Sequence, residues 1–160
     1  MTDSKDVTVG LGPPSPEVLD LRARILRAGL DPSTANFARD DDPLAVHAVA
    51  RLGGKVVGVG SLLPEELDGL PGYRVRGMAV EQGYRGKGIG ATILVRLLEA
   101  TDDDGVNAQS MQRGRDASVI WCHARIGARR LYERHGFAVV GDVFVIEGIG
   151  PHVLMVQRRS

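Results

Sequence analysis

Val75-Arg76-Gly77-Met78-Ala79-Val80-Glu81-Gln82-Gly83-Tyr84-Arg85-Gly86-Lys87-Gly88-Ile89-Gly90 is the stretch on which the fold turns. It reads as the end of a strand, a glycine loop and the start of a helix. Glycines let the backbone turn sharply and bring its N–H groups close to a ligand with no Cβ in the way. The helix that follows adds unsatisfied N–H donors and the positive end of its dipole, which suits a phosphate or pyrophosphate. Three readings of such a loop compete. A nucleoside-triphosphate loop needs GxxxxGK[ST], and Glu81 and Gly88 stand where that pattern requires other residues. The run Gly86-Lys87-Gly88-Ile89-Gly90-Ala91 satisfies the dinucleotide string GxGxxA, but it lies mid-chain after hairpin strands and lacks a βαβ partner. The third reading is a loop for the pyrophosphate of coenzyme A.

Upstream, Tyr73 to Val80 forms a strand, preceded by two more at Val46 to Ala50 and Val56 to Leu63. Leu52-Gly53-Gly54-Lys55 joins that pair, and a Gly-Gly step is a strong hairpin signal. Earlier still, Val7 to Val9 starts a strand that Gly10 to Pro16 breaks. Ser15-Pro16-Glu17 opens a helix as cap, first-turn proline and dipole-complementing acid. Val18, Leu21, Ile25 and Leu26 give that helix an apolar stripe, interrupted by Arg22, up to about Gly29. A short second helix follows Asp31-Pro32-Ser33, and Asp40-Asp41-Asp42-Pro43 reads as a solvated turn. Downstream, Ile89, Ile93, Leu94, Leu97 and Leu98 repeat at helical spacing to about Ala100. Asp102 to Gly105 ends this helix and Val106 to Arg115 has no clear period. Val119 to His123 is a short strand, Ala128 to His135 a helix closed by Gly136, and Ala138 to Ile146 and His152 to Val156 are two antiparallel strands. Hairpin strands with two crossover helices predict an α+β fold built on a mixed sheet.

The whole chain narrows the function classes. Its 160 residues suit one domain over 1–160, long enough to bury a sizeable core. Lys plus Arg and Asp plus Glu are 20 each, so the net charge asks for neither nucleic acid nor an anionic membrane. Aromatics at 4% leave little for base stacking. A single cysteine, Cys122, excludes an internal disulfide and a thiolate cluster within one chain, and no metal site is expected. The N-terminus lacks a signal-peptide pattern and no apolar run approaches the ~20 residues of a membrane span, so a cytoplasmic protein is expected.

Arg85-Gly86-Lys87-Gly88-Ile89-Gly90 fits the (Q/R)-x-x-G-x-(G/A) signature of the GNAT N-acetyltransferases, after a strand reading GMAV and before an amphipathic helix. Ala128-Arg129-Arg130-Leu131-Tyr132-Glu133-Arg134-His135-Gly136-Phe137 is similar to the second family motif, at about the family's spacing. The chain therefore resembles that superfamily over most of its length. Asp42, His47, Gly148 to His152 and Met155 further resemble a branch of predicted bacterial acyltransferases. The resemblance implies a GNAT-like, mostly antiparallel central sheet flanked by helices and splayed at the cofactor site. It implies acetyl-CoA as cosubstrate and a small-molecule amine or a protein lysine as acceptor, with direct attack and no covalent enzyme intermediate. A CoA-binding sensor with weak or no catalysis is the alternative.

Residue by residue, the resemblance implies that backbone groups of Met78, Ala79 and Val80 pair with the pantetheine arm, one N–H near them polarising the thioester carbonyl. Main-chain groups from Arg85 through Gly86, Lys87, Gly88, Ile89 and Gly90 to Ala91 would hold the pyrophosphate. Tyr132 matches the family's general acid, and a phenol with pKa near 10 is a sensible proton source for a departing thiolate. Ala128 opens the motif beside the cofactor. Where many relatives carry Asn three residues earlier, this chain has Arg125, which could reach a cofactor phosphate. Arg74 and Arg76 occupy strand positions where an acid would have helped, and Glu81 comes late. His123, at a strand end near the slot, is the candidate base or relay. Glu65 and Glu66 read as a solvated loop and His47 and His152 as structural histidines. Cys122 reads as a core thiol. A homodimer is expected from the family and from exposed strand edges.

Overall fold

The computed structural model describes residues 7–12, 15–101 and 117–159. Its elements in chain order are β1 (Thr8–Leu11), α1 (Pro16–Leu26), a 3₁₀ turn (Pro32–Ala35), β2 (Val46–Leu52), β3 (Lys55–Pro64) and β4 (Gly72–Val80). Then come α2 (Ile89–Ala100), β5 (Val119–Arg125), α3 (Arg129–Glu133), β6 (Ala138–Ile146) and β7 (Gly150–Arg158). The strands form one seven-stranded sheet in the order β1-β2-β3-β4-β5-β7-β6. Every neighbouring pair is antiparallel except β4 and β5, which run parallel. The fold is thus α+β with a mixed sheet, as expected. The expected helix end at 102–105 and the aperiodic 106–115 lie outside the described residues.

The local chemistry explains the elements. Gly53 and Gly54, both at positive φ (57° and 86°), make the two-residue turn between β2 and β3. Ser15 Oγ accepts from Val18 N at 3.4 Å and caps α1, which ends at Leu26 and not at Gly29. β1 runs on to Leu11, one residue past Gly10, because Gly10 and Leu11 pair with Val49 and Ala48. β7 begins at Gly150 and not at His152, since Gly150 and Pro151 pair with Ile146 and Val145.

The sheet separates two apolar layers. Ile89, Ile93, Leu94 and Leu97 of α2 are buried with Val57, Leu62, Tyr73, Val75, Ile120 and Cys122 on one face. Val18 and Leu21 of α1 are buried with Val49, Val59 and Ala79 on the other. Full burial of a Leu or Ile side chain contributes about 1.5–3 kcal/mol, so these helices are held by the sheet and not by their own propensity.

Two expectations fail together at α1. Arg22 does not merely interrupt the stripe: it lies on the buried face and is 0% exposed. Asp40 is no solvated turn residue either; its carboxylate is buried against that guanidinium. Arg22 Nη1 donates to Asp40 Oδ2 at 2.7 Å and Nη2 to Oδ1 at 3.1 Å. Further donations reach Ala35 O at 3.2 Å and Ser61 Oγ at 2.8 Å. A charge is tolerated in a core when it is paired, and here both terminal nitrogens of Arg22 are, while its Nε is buried without an acceptor. His47 completes the network: Nε2 donates to Asp40 O at 3.0 Å, so Nδ1 accepts from Ser61 Oγ at 2.7 Å. That histidine is structural, as expected.

Candidate active site

β4 and β5 pair only over Gly72–Arg74 and Val119–Trp121. Beyond that point β4 continues to Val80 and β5 to Arg125 with no further pairing between them. The two parallel strands therefore open like a V, and the β5-facing backbone groups of β4 beyond Arg74 have no sheet partner. A bulge helps to turn β4 away. Arg76 pairs with Ser61 and Ala79 with Val59, so Gly77 and Met78 stand opposite Gly60 alone. Gly77 sits at φ 66°, and a Cβ there would lie 2.9 Å from Phe37 Cε2. Any other residue there would be strained in backbone and pressed against that ring.

At the open end, β4 runs into the glycine loop. Gly86 and Gly88 have φ near 77° and 79°, and Gly88 is the N-cap of α2 with no side-chain cap. Thr92 N is the amide that closes on Gly88 O, at 3.0 Å; the amides before it have no intrahelical acceptor. A Cβ at Gly83, Gly86 or Gly88 would meet nothing within 4 Å, so the loop faces open space. The loop can therefore present backbone donors to an anion.

The V encloses a cavity of about 310 Å³. Five of the residues singled out in the sequence meet in its wall: Met78, His123, Arg125, Ala128 and Tyr132. Ala79, Val80 and the loop from Arg85 to Ala91 are not part of that wall; they lie further along β4 and beyond its end. Ala79 itself is buried under α1. The wall also holds residues the sequence reading passed over or assigned elsewhere, among them Arg27, Phe37, Arg74, Arg76 and His152.

The electrostatics of the wall are one-sided. Arg74 Nη1 donates to Glu65 Oε2 at 3.2 Å, so Glu65 is half-buried and paired, not a solvated loop carboxylate. Arg74 Nη2 donates to His123 Nδ1 at 3.0 Å. A guanidinium has no lone pair, so Nδ1 must accept and the His123 proton sits on Nε2. Burial holds the His123 pKa below the usual histidine value, and Arg74 pushes it the same way. His152 has the opposite tautomer. Its Nδ1 donates to Gly150 O at 2.7 Å, which leaves the lone pair on Nε2. The Phe144 ring lies between the two histidines, edge-on to His123 and stacked on His152. Glu81 is committed elsewhere: Arg24 donates to both its oxygens, at 3.0 and 2.8 Å.

Tyr132 sits on α3 with its ring edge against Phe137. Burial pushes its phenol pKa well above 10, and Cys122 acts in the same direction. The group keeps its proton across the whole physiological range. Cys122 itself is buried and its thiol is pushed up to about 12 by desolvation, an inert core group as expected. Among the described residues, no cluster of three or more His, Cys, Asp or Glu could hold a metal ion. No described helix is long and apolar enough to cross a membrane.

The family model described as "Acetyltransferase (GNAT) domain" matches residues 43–139, which runs from β2 to the first residues of β6 and includes both strands of the V. The chain belongs to the GNAT acetyltransferase family. A curated relative, the uncharacterized N-acetyltransferase YitI of Bacillus subtilis, is 28% identical over 142 residues, covering 87% of this chain and 88% of that one. The crystal structure of Escherichia coli ElaA superposes with a TM-score of 0.67 at 17% identity, covering 95% and 99% of the two chains. An aminoglycoside 6'-N-acetyltransferase solved with coenzyme A gives 0.68 at 16% identity, covering 94% and 96%. Such distant structures share the fold. GNAT membership makes the protein an acyltransferase, and it gives the splayed strands and glycine loop a common context.

One part of this GNAT site had a readable signal that the sequence reading did not use. Arg74 and Arg76 alternate with Tyr73 and Val75, so both guanidinia fall on the face opposite the α2 core. Phe37 and Arg27 had none, since they reach the cavity only through the fold.

Proposed function

We propose that the protein transfers an acetyl group from acetyl-CoA to a primary amine of a small molecule or a protein. The observation that carries this reading is the V: a strand with an unpaired backbone edge, ending in an open glycine loop, with Tyr132 in the same wall. The fit to coenzyme A is good on both counts. Met78, Ala79 and Val80 would pair with the pantetheine arm as a neighbouring strand would. Backbone amides from Arg85 to Ala91 would hold the pyrophosphate at the α2 N-terminus. When bound, acetyl-CoA supplies the activated acyl carbon of a thioester.

The remaining steps belong to the protein's own groups. A β4 amide near Met78 stabilises the charge that develops on the acyl oxygen. Tyr132, kept protonated by burial, gives its proton to the departing sulfur. His123 presents an N–H from Nε2 while Arg74 occupies Nδ1, which suits it to relaying or donating a proton. His152, also in the cavity wall, carries its lone pair on Nε2 in the neutral ring, and we assign it the proton given up by the amine. The buried free thiol of Cys122 suits a reducing compartment, so the cytoplasm is the proposed location. β6 is an edge strand with Val143 58% and Val145 74% exposed, and it is the proposed face of a homodimer.

The test is thiol release from acetyl-CoA across a panel of amines, run on the parent protein and on Tyr132→Phe. Turnover that falls about 10²- to 10⁴-fold in the variant, with CoA affinity kept within about twofold, supports the acid role. Turnover by Tyr132→Phe equal to the parent removes it.

A further inference from the structure

The residues that line the cavity include four arginines, Arg27, Arg74, Arg76 and Arg125, and no aspartate or glutamate. Glu65 lies behind Arg74 and offsets one of these charges. Arg27 and Arg125 each give one N–H to Leu26 O, at 3.1 and 3.0 Å, at the C-terminal end of α1. Arg76 is different. Its guanidinium lies 4.2 Å from the centroid of the Phe37 ring and has no carboxylate or carbonyl partner among the described residues. Phe37 is held in turn by the paired Arg22, also 4.2 Å from its centroid. The Nε of Arg74 is buried with no acceptor, as is that of the core-paired Arg22, so Arg76 is the distinctive guanidinium of this wall. Burial, followed by Arg74 and Arg27, brings the pKa of Arg76 down to about 10, so holding this cation without an anion is costly.

These donors stand apart from the proposed pyrophosphate site. Arg74 marks the closed end of the V, where β4 still pairs with β5. The glycine loop begins beyond Val80, and at about 3.3 Å per strand residue Arg76 is about 13 Å from that end. The pantetheine arm would span this interval, which leaves the arginines facing the acceptor.

We propose that the acceptor is a small amine that also carries a carboxylate, gripped by Arg76 and Arg74 at the closed end of the cavity. This rests on the acetyltransferase reading above. A guanidinium fork matches a carboxylate with two parallel hydrogen bonds. The same positive field raises the cost of an ammonium, so it helps the bound amine to lose the proton it must shed before attack. A polyamine or other polycation meets a wall of net positive charge and is disfavoured.

The experiment has two arms on the full chain. In the first, protein saturated with CoA is titrated calorimetrically with amino acids and, for each, with its amide and its decarboxylated amine. In the second, kcat/KM for the same compounds is measured with acetyl-CoA. A charge-assisted contact should favour the acid over its matched amide about ten- to a hundredfold in both arms. Arg76→Gln should shrink that preference to a few-fold, and Arg76→Lys should restore part of it. CoA affinity, measured on the same variants, separates a lost acceptor contact from a lost fold. Binding of CoA with amines or polyamines preferred over the acids overturns the proposal while leaving the acetyltransferase reading intact. A preference for acids that survives Arg76→Gln overturns the assignment to Arg76. Absence of CoA binding removes both readings together.

Discussion

Replacing Asp40 by Asn keeps the side chain's shape and removes its charge, which leaves the Arg22 guanidinium buried and unpaired. The carboxylate accepts from both terminal nitrogens of Arg22 and from Phe37 N at 2.9 Å, and Arg22 is 0% exposed. Asn can still accept from Phe37 N, so the loss is mainly that of the charge. Breaking a buried pair on one side costs about 3–5 kcal/mol. With an unfolding entropy of about 2.1 cal/mol/K per residue, a chain of this length should lose about 9–15 °C in Tm. The assay is thermal and urea unfolding followed by circular dichroism. The double variant Arg22→Met/Asp40→Asn removes the stranded charge and should regain about 2 kcal/mol over Asp40→Asn. The clamp also holds Phe37, on which Arg76 rests, so Asp40→Asn should weaken acceptor binding as well. A destabilisation under about 1 kcal/mol, or a double variant no better than the single, refutes the reasoning.

Gly77→Ala should cost about 2–4 kcal/mol in urea unfolding, from the left-handed backbone and a Cβ 2.9 Å from Phe37; a neutral result means that the bulge is not as described. The Cys122 thiol has its ordinary value of 9.0 when unfolded and about 12 when folded, so its contribution is complete below pH 9 and is lost as the pH rises towards 12. Cys122 alone should lower stability by about 1.4 kcal/mol from pH 7 to pH 10, the part of the slope that Cys122→Ala removes. Burial and Arg74 hold the His123 pKa below 6.5, so any acid limb of the rate that His123 causes should be centred below pH 6.5. An acid limb centred at or above 6.5 that vanishes in His123→Gln contradicts this.

The sheet and its helices were legible because each has a local cause: the Gly-Gly turn, the Ser15-Pro16 cap, the period of Ile89 to Leu97. The V was legible only through family resemblance, since nothing in the composition of β4 and β5 says where their pairing stops. Arg22 and Asp40 were misread for a physical reason. A charged residue on an apolar stripe looks like an error until its partner, 18 residues away, is seen in the same core. The histidine roles were beyond sequence altogether, because the donor in one pair and the acceptor in the other decide which nitrogen holds the proton. Arg74 and Arg76 were noticed as missing acids; their meaning as a cationic wall needed Arg27 and Arg125 from two other elements.

The most direct measurement of the central claim is a calorimetric titration of the purified protein with acetyl-CoA, with NAD as control. The account predicts saturable binding of acetyl-CoA and none of NAD, because the loop opens on a splayed strand edge and not on a dinucleotide fold. A folded sample that does not bind acetyl-CoA would contradict it, and with it the roles given to the glycine loop and Tyr132.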